Sequence, residues 1–134
     1  MRVVLDTNVF ISGIFWEGNY CSKVIDFWKE KKIVLICSLE IIQELMEVMR
    51  DFKIRLDEEL VQAWAKLILE EAVIVDPQTK LEIIKEDPDD NKFIEAALSG
   101  RAEFIISQDK HLLKIKEYEK IKIITPQEFL EVVA

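Results

Sequence analysis

Arg2-Val3-Val4-Leu5 runs straight into Asp6, and that abrupt change from apolar to acidic decides how the chain is read. A short apolar run without polar alternation suits a strand buried on both faces. Similar runs, rich in Ile and Val, return at Ile33 to Cys37, Val73 to Val75, Phe104 to Ile106 and Ile121 to Ile124. Helical patterns lie between them. Asn19 caps a helix to about Lys31, with Cys21, Val24, Ile25 and Trp28 on its apolar side. Ser38 caps the next, through about Asp51, striped by Ile41, Leu45, Val48 and Phe52. Asp57 opens a third, with Leu60, Trp64, Leu67 and Ile68 on its stripe. A helix over Asp90 to Ser99 stops at Gly100, and Asp109 caps a short one carrying Leu112, Leu113 and Ile115. Thr125-Pro126-Gln127-Glu128 is a capping box with proline at the first helical position, so a last helix runs to about Val133. Strands alternating with helices predict one α/β domain over residues 1–134, with a parallel five-stranded sheet and right-handed crossovers.

Composition narrows the function. Half of the 134 residues are apolar and a third are charged, which is globular and excludes disorder. No apolar run approaches the ~18 residues of a membrane span. Asp6 interrupts the opening run too early for an export signal, so a cytoplasmic protein is expected. Cys21 and Cys37 are then expected to be thiols in the core. One histidine, His111, is too few for a zinc site of the usual kind. The net charge of -8 speaks against a simple cationic coat for nucleic acid. It leaves room for a nuclease, because an acidic site that holds divalent cations presents those cations to phosphate.

Ligand sites in such sheets lie beyond the carboxyl ends of the strands. Asp6 follows the first strand, and Asp109 stands three residues after the fourth. Asp87, Asp89 and Asp90 precede the helix that leads into that fourth strand. The helix after the second strand carries Glu40, Glu44, Glu47 and Asp51 along one face. Carboxylates so gathered repel one another, and hard divalent cations such as Mg²⁺ or Mn²⁺ relieve the repulsion. Ions held this way activate water and stabilise a leaving oxygen, so the expected chemistry is phosphodiester hydrolysis. No glycine-rich phosphate loop is present.

Four stretches carry a family resemblance. Val3-Val4-Leu5-Asp6-Thr7-Asn8-Val9-Phe10 resembles the opening of the PIN domain nucleases. Ser38-Leu39-Glu40-Ile41-Ile42-Gln43-Glu44-Leu45 resembles their second motif, Asp87-Pro88-Asp89-Asp90-Asn91-Lys92-Phe93-Ile94-Glu95-Ala96-Ala97 the third, and Ala102 to Leu113 the fourth. Their order is that of the family, and together they span nearly the whole chain. The resemblance implies a PIN-like three-layer α/β/α sandwich and an Mg²⁺- or Mn²⁺-dependent endoribonuclease. It further implies a VapC-like toxin held inactive by a small antitoxin protein, and it points to a homodimer. It selects Glu44 over Glu40. The metal-binding and catalytic acids are then Asp6, Glu44, Asp90 and Asp109, with Asp87 the alternative to Asp90. Asn8 is implied as a polar neighbour holding Asp6 or a metal-bound water. Ser107 is implied as a hydroxyl orienting water or phosphate.

The remaining conspicuous residues have plainer readings. Trp16, Trp28 and Trp64 suit core or dimer contacts. The large apolar residues on the helices Cys21 to Lys31 and Asp57 to Glu71 suggest a face for a second copy. Lys29, Lys31 and Lys32, with Arg50, Lys53 and Arg55, are solvated helix ends or a rim that positions RNA. A phosphoryl-accepting signalling domain would need Asp76 and Lys110 as its acceptor pair, and leaves Glu44 and Asp87 to Asp90 unexplained. A haloacid-dehalogenase-like phosphatase would need an aspartate where Asn8 stands. A silent PIN-like binding module would have no use for all four acids, and a housekeeping RNA-processing nuclease would keep them.

Overall fold

Each apolar run forms a strand, and all of them join one sheet. The computed structural model describes residues 1–51, 56–85 and 87–133. The Phe52 end of the second helix stripe, and Lys53 and Arg55 of the basic clusters, lie outside the described residues. The strands are β1 (Arg2–Leu5), β2 (Val34–Ser38), β3 (Val73–Val75), β4 (Phe104–Ile106), β5 (Glu117–Tyr118) and β6 (Ile121–Ile124). The helices are α1 (Thr7–Phe15), α2 (Tyr20–Lys29), α3 (Leu39–Asp51), α4 (Glu58–Glu71), α5 (Asn91–Ser99), α6 (Lys110–Leu113) and α7 (Pro126–Val133). The sheet order is β3-β2-β1-β4-β6-β5, with helices flanking it as a three-layer sandwich.

β1 lies between β2 and β4, pairing Val3 with Leu35 on one side and Leu5 with Ile106 on the other. Val3, Val4 and Leu5 are buried, as expected of a central strand covered on both faces. Each such side chain contributes about 1.5–3 kcal/mol of burial. The order of connections reverses between β1 and β4, so the crevice beyond their carboxyl ends is where a ligand site is expected. Caps foreseen at Asn19, Ser38 and Asp109 are made. The Thr125 box closes in both directions, Glu128 N–H to Thr125 Oγ1 at 3.1 Å and Thr125 N–H to Glu128 Oε1 at 3.0 Å. Among the described residues no helix is long and apolar enough to cross a membrane.

Three features depart from expectation. Among the described residues the sheet has six strands, not five, because β5 pairs antiparallel with β6. Their two-residue turn is Glu119-Lys120, with φ of 49° and 69°. A hairpin turn of that hand normally advertises itself by Asn or Gly, and these two residues conceal it. Secondly, Thr7 to Phe15 is helical, capped by Asp6, whose Oδ1 accepts the Val9 N–H at 2.9 Å. Its β-branched and aromatic residues and Gly13 disguise it. Thirdly, Trp28 is a core residue, edge-on to Phe10 at 5.7 Å, and is not available to a second copy. Trp64 also meets Phe10, at 6.0 Å, under the Lys29 ammonium. The exposed apolar side chains of α4 are Leu60 and Leu69. Cys21 and Cys37 are buried free thiols, and burial pushes Cys37 up to about 12, so it packs and does not react.

Gly13 explains the close seating of α1 on α2. A Cβ there would stand 2.5 Å from Ile25 Cγ1 and 2.9 Å from the Cys21 carbonyl oxygen. Gly13→Ala should therefore destabilise the fold by about 1–3 kcal/mol, because the clash outweighs the ~1 kcal/mol that alanine gains in a free helix. Urea denaturation of the two proteins measures the difference; a more stable variant would contradict the packing.

Candidate metal centre

β1 and β4 end side by side, and that adjacency builds the site. Leu5 pairs with Ile106, so Asp6 and Ser107 leave the sheet together. The Asp6 N–H extends the ladder to the Ile106 carbonyl at 3.1 Å, and the Ser107 N–H does so to Ile124 at 2.9 Å. Asp6 is almost wholly buried. Its carboxylate accepts from Val9 N–H, from the Ser107 hydroxyl and from Gln108 N–H. Burial nevertheless outweighs these bonds and raises its pKa, with the Asp109 charge adding to the rise. Ser107 Oγ also accepts the Asp109 N–H at 2.9 Å, so one fully buried hydroxyl fixes two acids. Ser107 is without solvent exposure, and its hydroxyl donates to Asp6.

The third motif comes in from the opposite side. Pro88–Asp90 forms a 3-10 turn before α5, and this turn and the residue before it deliver Asp87 and Asp90. One oxygen from each of Asp87, Asp90 and Asp109 lies within 4.8 Å of the others. Asp89 is exposed and stands apart from this group. Asp6, Thr7, Asn8, Glu44, Val48, Asp87, Asp90, Phe93 and Asp109 line a single pocket of about 210 Å³. Asn8 sits at its exposed rim, and the work of holding Asp6 falls to Ser107. A larger hollow of about 520 Å³ lies near Arg101, Phe104 and Lys122, away from the acid cluster.

Glu44, and not Glu40, faces the pocket; Glu40 turns to Lys80 at 3.4 Å. Both oxygens of Glu44 are engaged. Oε1 meets the Lys92 ammonium at 2.6 Å and Oε2 accepts from the Thr7 hydroxyl. Lys92 and Thr7 were not singled out from the sequence. Lys92 reads as an ordinary charged position on a helix, yet it is buried. Asn91 and Glu95 are buried beside it. Asn91 accepts from the N–H groups of Ile83 and Ile84 and donates to the carbonyls of Ile84 and Pro88. Glu95 accepts the Leu81 N–H at 2.8 Å. The polar residues of the third motif thus tie the incoming segment to α5. Of the basic clusters, Arg50 grips Glu58 with two bonds, and Lys32 lies 3.3 Å from Glu30.

Asp90 is the odd member. Its buried Oδ2 has no hydrogen-bond partner. Burial, a hydrogen bond with Asp109, and the charges of Asp109, Asp87 and Asp6 push its pKa up to about 8. An unsatisfied oxygen among hard oxygen donors suits Mg²⁺ or Mn²⁺. The folded chain binds a proton at Asp90 that the unfolded chain has released. Stability of the metal-free protein therefore falls as pH rises from about 4 towards 8. Asp90→Asn should flatten this slope. Urea denaturation in EDTA near pH 5 and pH 8 checks it; an unchanged slope would remove Asp90 as its source.

Residues 2–111 match the PIN domain family profile. The chain is 32% identical to an uncharacterized protein of Methanocaldococcus jannaschii over 142 aligned residues, covering 98% of this chain and 90% of that one. Its fold is similar to a chain in the solved structure of VapBC2 from Rickettsia felis bound to a DNA fragment from their promoter. That match has a TM-score of 0.61 and 16% identity, over 92% of this chain and 97% of that one. VapBC-1 from nontypeable Haemophilus influenzae matches with a TM-score of 0.63 and 15% identity, over 95% and 99%. FitAcB from Neisseria gonorrhoeae matches with a TM-score of 0.54 and 12% identity, over 93% and 98%. Acids after β1 and β4, on α3 and before α5 lie in one pocket, and the profile covers all of these segments: the chain belongs to the PIN domain family.

Proposed function

We propose that this protein is a metal-dependent endoribonuclease and the VapC-like toxin of a toxin–antitoxin pair. The observation that carries the reading is the buried, unpartnered Oδ2 of Asp90 among the carboxylates of Asp6, Asp87 and Asp109. Asp6, Asp90 and Asp109 would hold Mg²⁺ or Mn²⁺, with Asp87 beside them. Such an ion, when bound, would supply positive charge for the phosphate oxygens and lower the pKa of a water. The chain's own part is rigidity. Ser107 keeps Asp6 and Asp109 in register, and the 3-10 turn presents Asp87 and Asp90 to them. Glu44, steadied by Lys92 and Thr7, faces the same space as an acceptor for water. The phosphoacceptor reading finds no support, since Asp76 lies beyond β3 with Lys80, and neither it nor Lys110 lines the acid pocket.

Likeness to the VapBC structures supports a small antitoxin as a partner, and the family supports a cytoplasmic setting. We propose a second copy of the chain as a further partner, a closed pair being the commonest assembly. Light scattering at micromolar concentration should give twice the 15.7 kDa of one chain; a persistent single-chain mass would exclude the dimer.

The purified protein should cleave single-stranded RNA with Mg²⁺ or Mn²⁺ and stop in EDTA. Asp6→Asn should lower the rate about 100-fold or more, as expected when a charge-stabilising group is lost. Millimolar Mn²⁺ should raise the Tm of the wild type by about 4 °C or more, and not that of Asp6→Asn. Cleavage that persists in EDTA would refute the metal-dependent reading.

A further inference from the structure

Lys92 enters the proposed chemistry only through its contact with Glu44. Its side chain is only 7% exposed, and its Nζ lies 2.6 Å from Glu44 Oε1. A buried ammonium is costly unless a charge and hydrogen bonds compensate it. Here the compensating group is a pocket acid. The Thr7 hydroxyl takes the other oxygen of Glu44, so that carboxylate is neutralised and bonded within the chain.

The pocket is therefore divided electrically. On the α3 side, Glu44 carries its own cation. On the other side, no ion pair among the described residues reaches Asp6, Asp87, Asp90 or Asp109, and the unpartnered Oδ2 belongs to Asp90. We infer that Lys92 fills, from within the chain, a second cation position, so that the site takes one divalent ion on its aspartate side. The fold supports this placing. Lys92 is the second residue of α5, directly after the turn that carries Asp90, so one segment delivers both the ion's ligand and the fixed ammonium. This inference rests on the metal-site reading above.

The test counts ions. Full-length protein, stripped with EDTA and dialysed, is titrated with MnCl₂ by calorimetry, and free Mn²⁺ is followed by electron paramagnetic resonance. The wild type should bind one Mn²⁺ per chain. Lys92→Met leaves Glu44 without its cation and should admit a second ion. Lys92→Arg, which restores the charge, should return the count to one. Lys92→Met alone leaves a half-buried charge and is the variant most exposed to misfolding. Glu44→Gln with Lys92→Met removes both charges together, which is often neutral for stability. That double variant should bind one Mn²⁺ with an affinity within about threefold of the wild type, less than 1 kcal/mol. Two ions in the wild type, or a loss of about tenfold or more in the double variant, would overturn the inference and leave the metal site standing. No Mn²⁺ binding by the wild type would overturn the metal-site reading and the inference with it.

Discussion

Asp6 is an acid with almost no access to water at the end of the central strand, and the neighbouring structure is arranged around that demand. The carboxylate needs donors, and three come from two directions: Val9 in the first turn of α1, and Ser107 and Gln108 just beyond β4. The helix start and the parallel pairing of β1 with β4 are thereby tied to one side chain. Ser107 has a single hydroxyl, which donates to Asp6 while accepting from the Asp109 backbone. Moving β4 by one residue along β1 would carry Ser107 and Gln108 away from Asp6. The register of the sheet and the spacing of the acids are one constraint.

The third motif solves a related problem. Asp90, Asn91, Lys92 and Glu95 are all buried, an unusual density of polar groups for one short helix. Asn91 and Glu95 satisfy backbone groups of the segment 81–84 that would otherwise lose their partners in water. Lys92 answers Glu44 of α3. Among the described residues only Asp90 keeps a buried side-chain oxygen without a partner, and it is the one acid raised to about 8.

Much of this was legible in the sequence where local chemistry decides the outcome. The apolar runs formed strands at nearly the expected bounds, and the Asn19, Ser38, Asp109 and Thr125 caps operate as their residue types suggest. Asp6 and Asp109 reach one pocket because they follow neighbouring strands of a parallel sheet, whereas Glu44 and Asp90, in the same pocket, are picked out by the family resemblance. What escaped was set by tertiary contact. Thr7 to Phe15 becomes helix because Asp6 caps it and Gly13 lets it lie on α2, neither of which appears in its propensity. Lys92 looks like a solvent lysine until Glu44, 48 residues earlier, is brought beside it. Ser107 was noticed, but its direction depends on Asp6 being buried.

The short hairpin at the end of the sheet has a meaning beyond strand count. A sheet edge exposes unpaired N–H and C=O groups on which another chain can build. Here one edge is β5, two residues long, reached through backbone held at positive φ in Glu119 and Lys120. The other is β3, three residues long and followed by Asp76 and Pro77. Neither offers the four or more paired positions that an ordinary strand would dock against. The hydrogen-bonding surfaces of β2, β1, β4 and β6 are enclosed between these two stubs, so a chain half apolar in composition keeps the backbone of its inner strands paired on both sides.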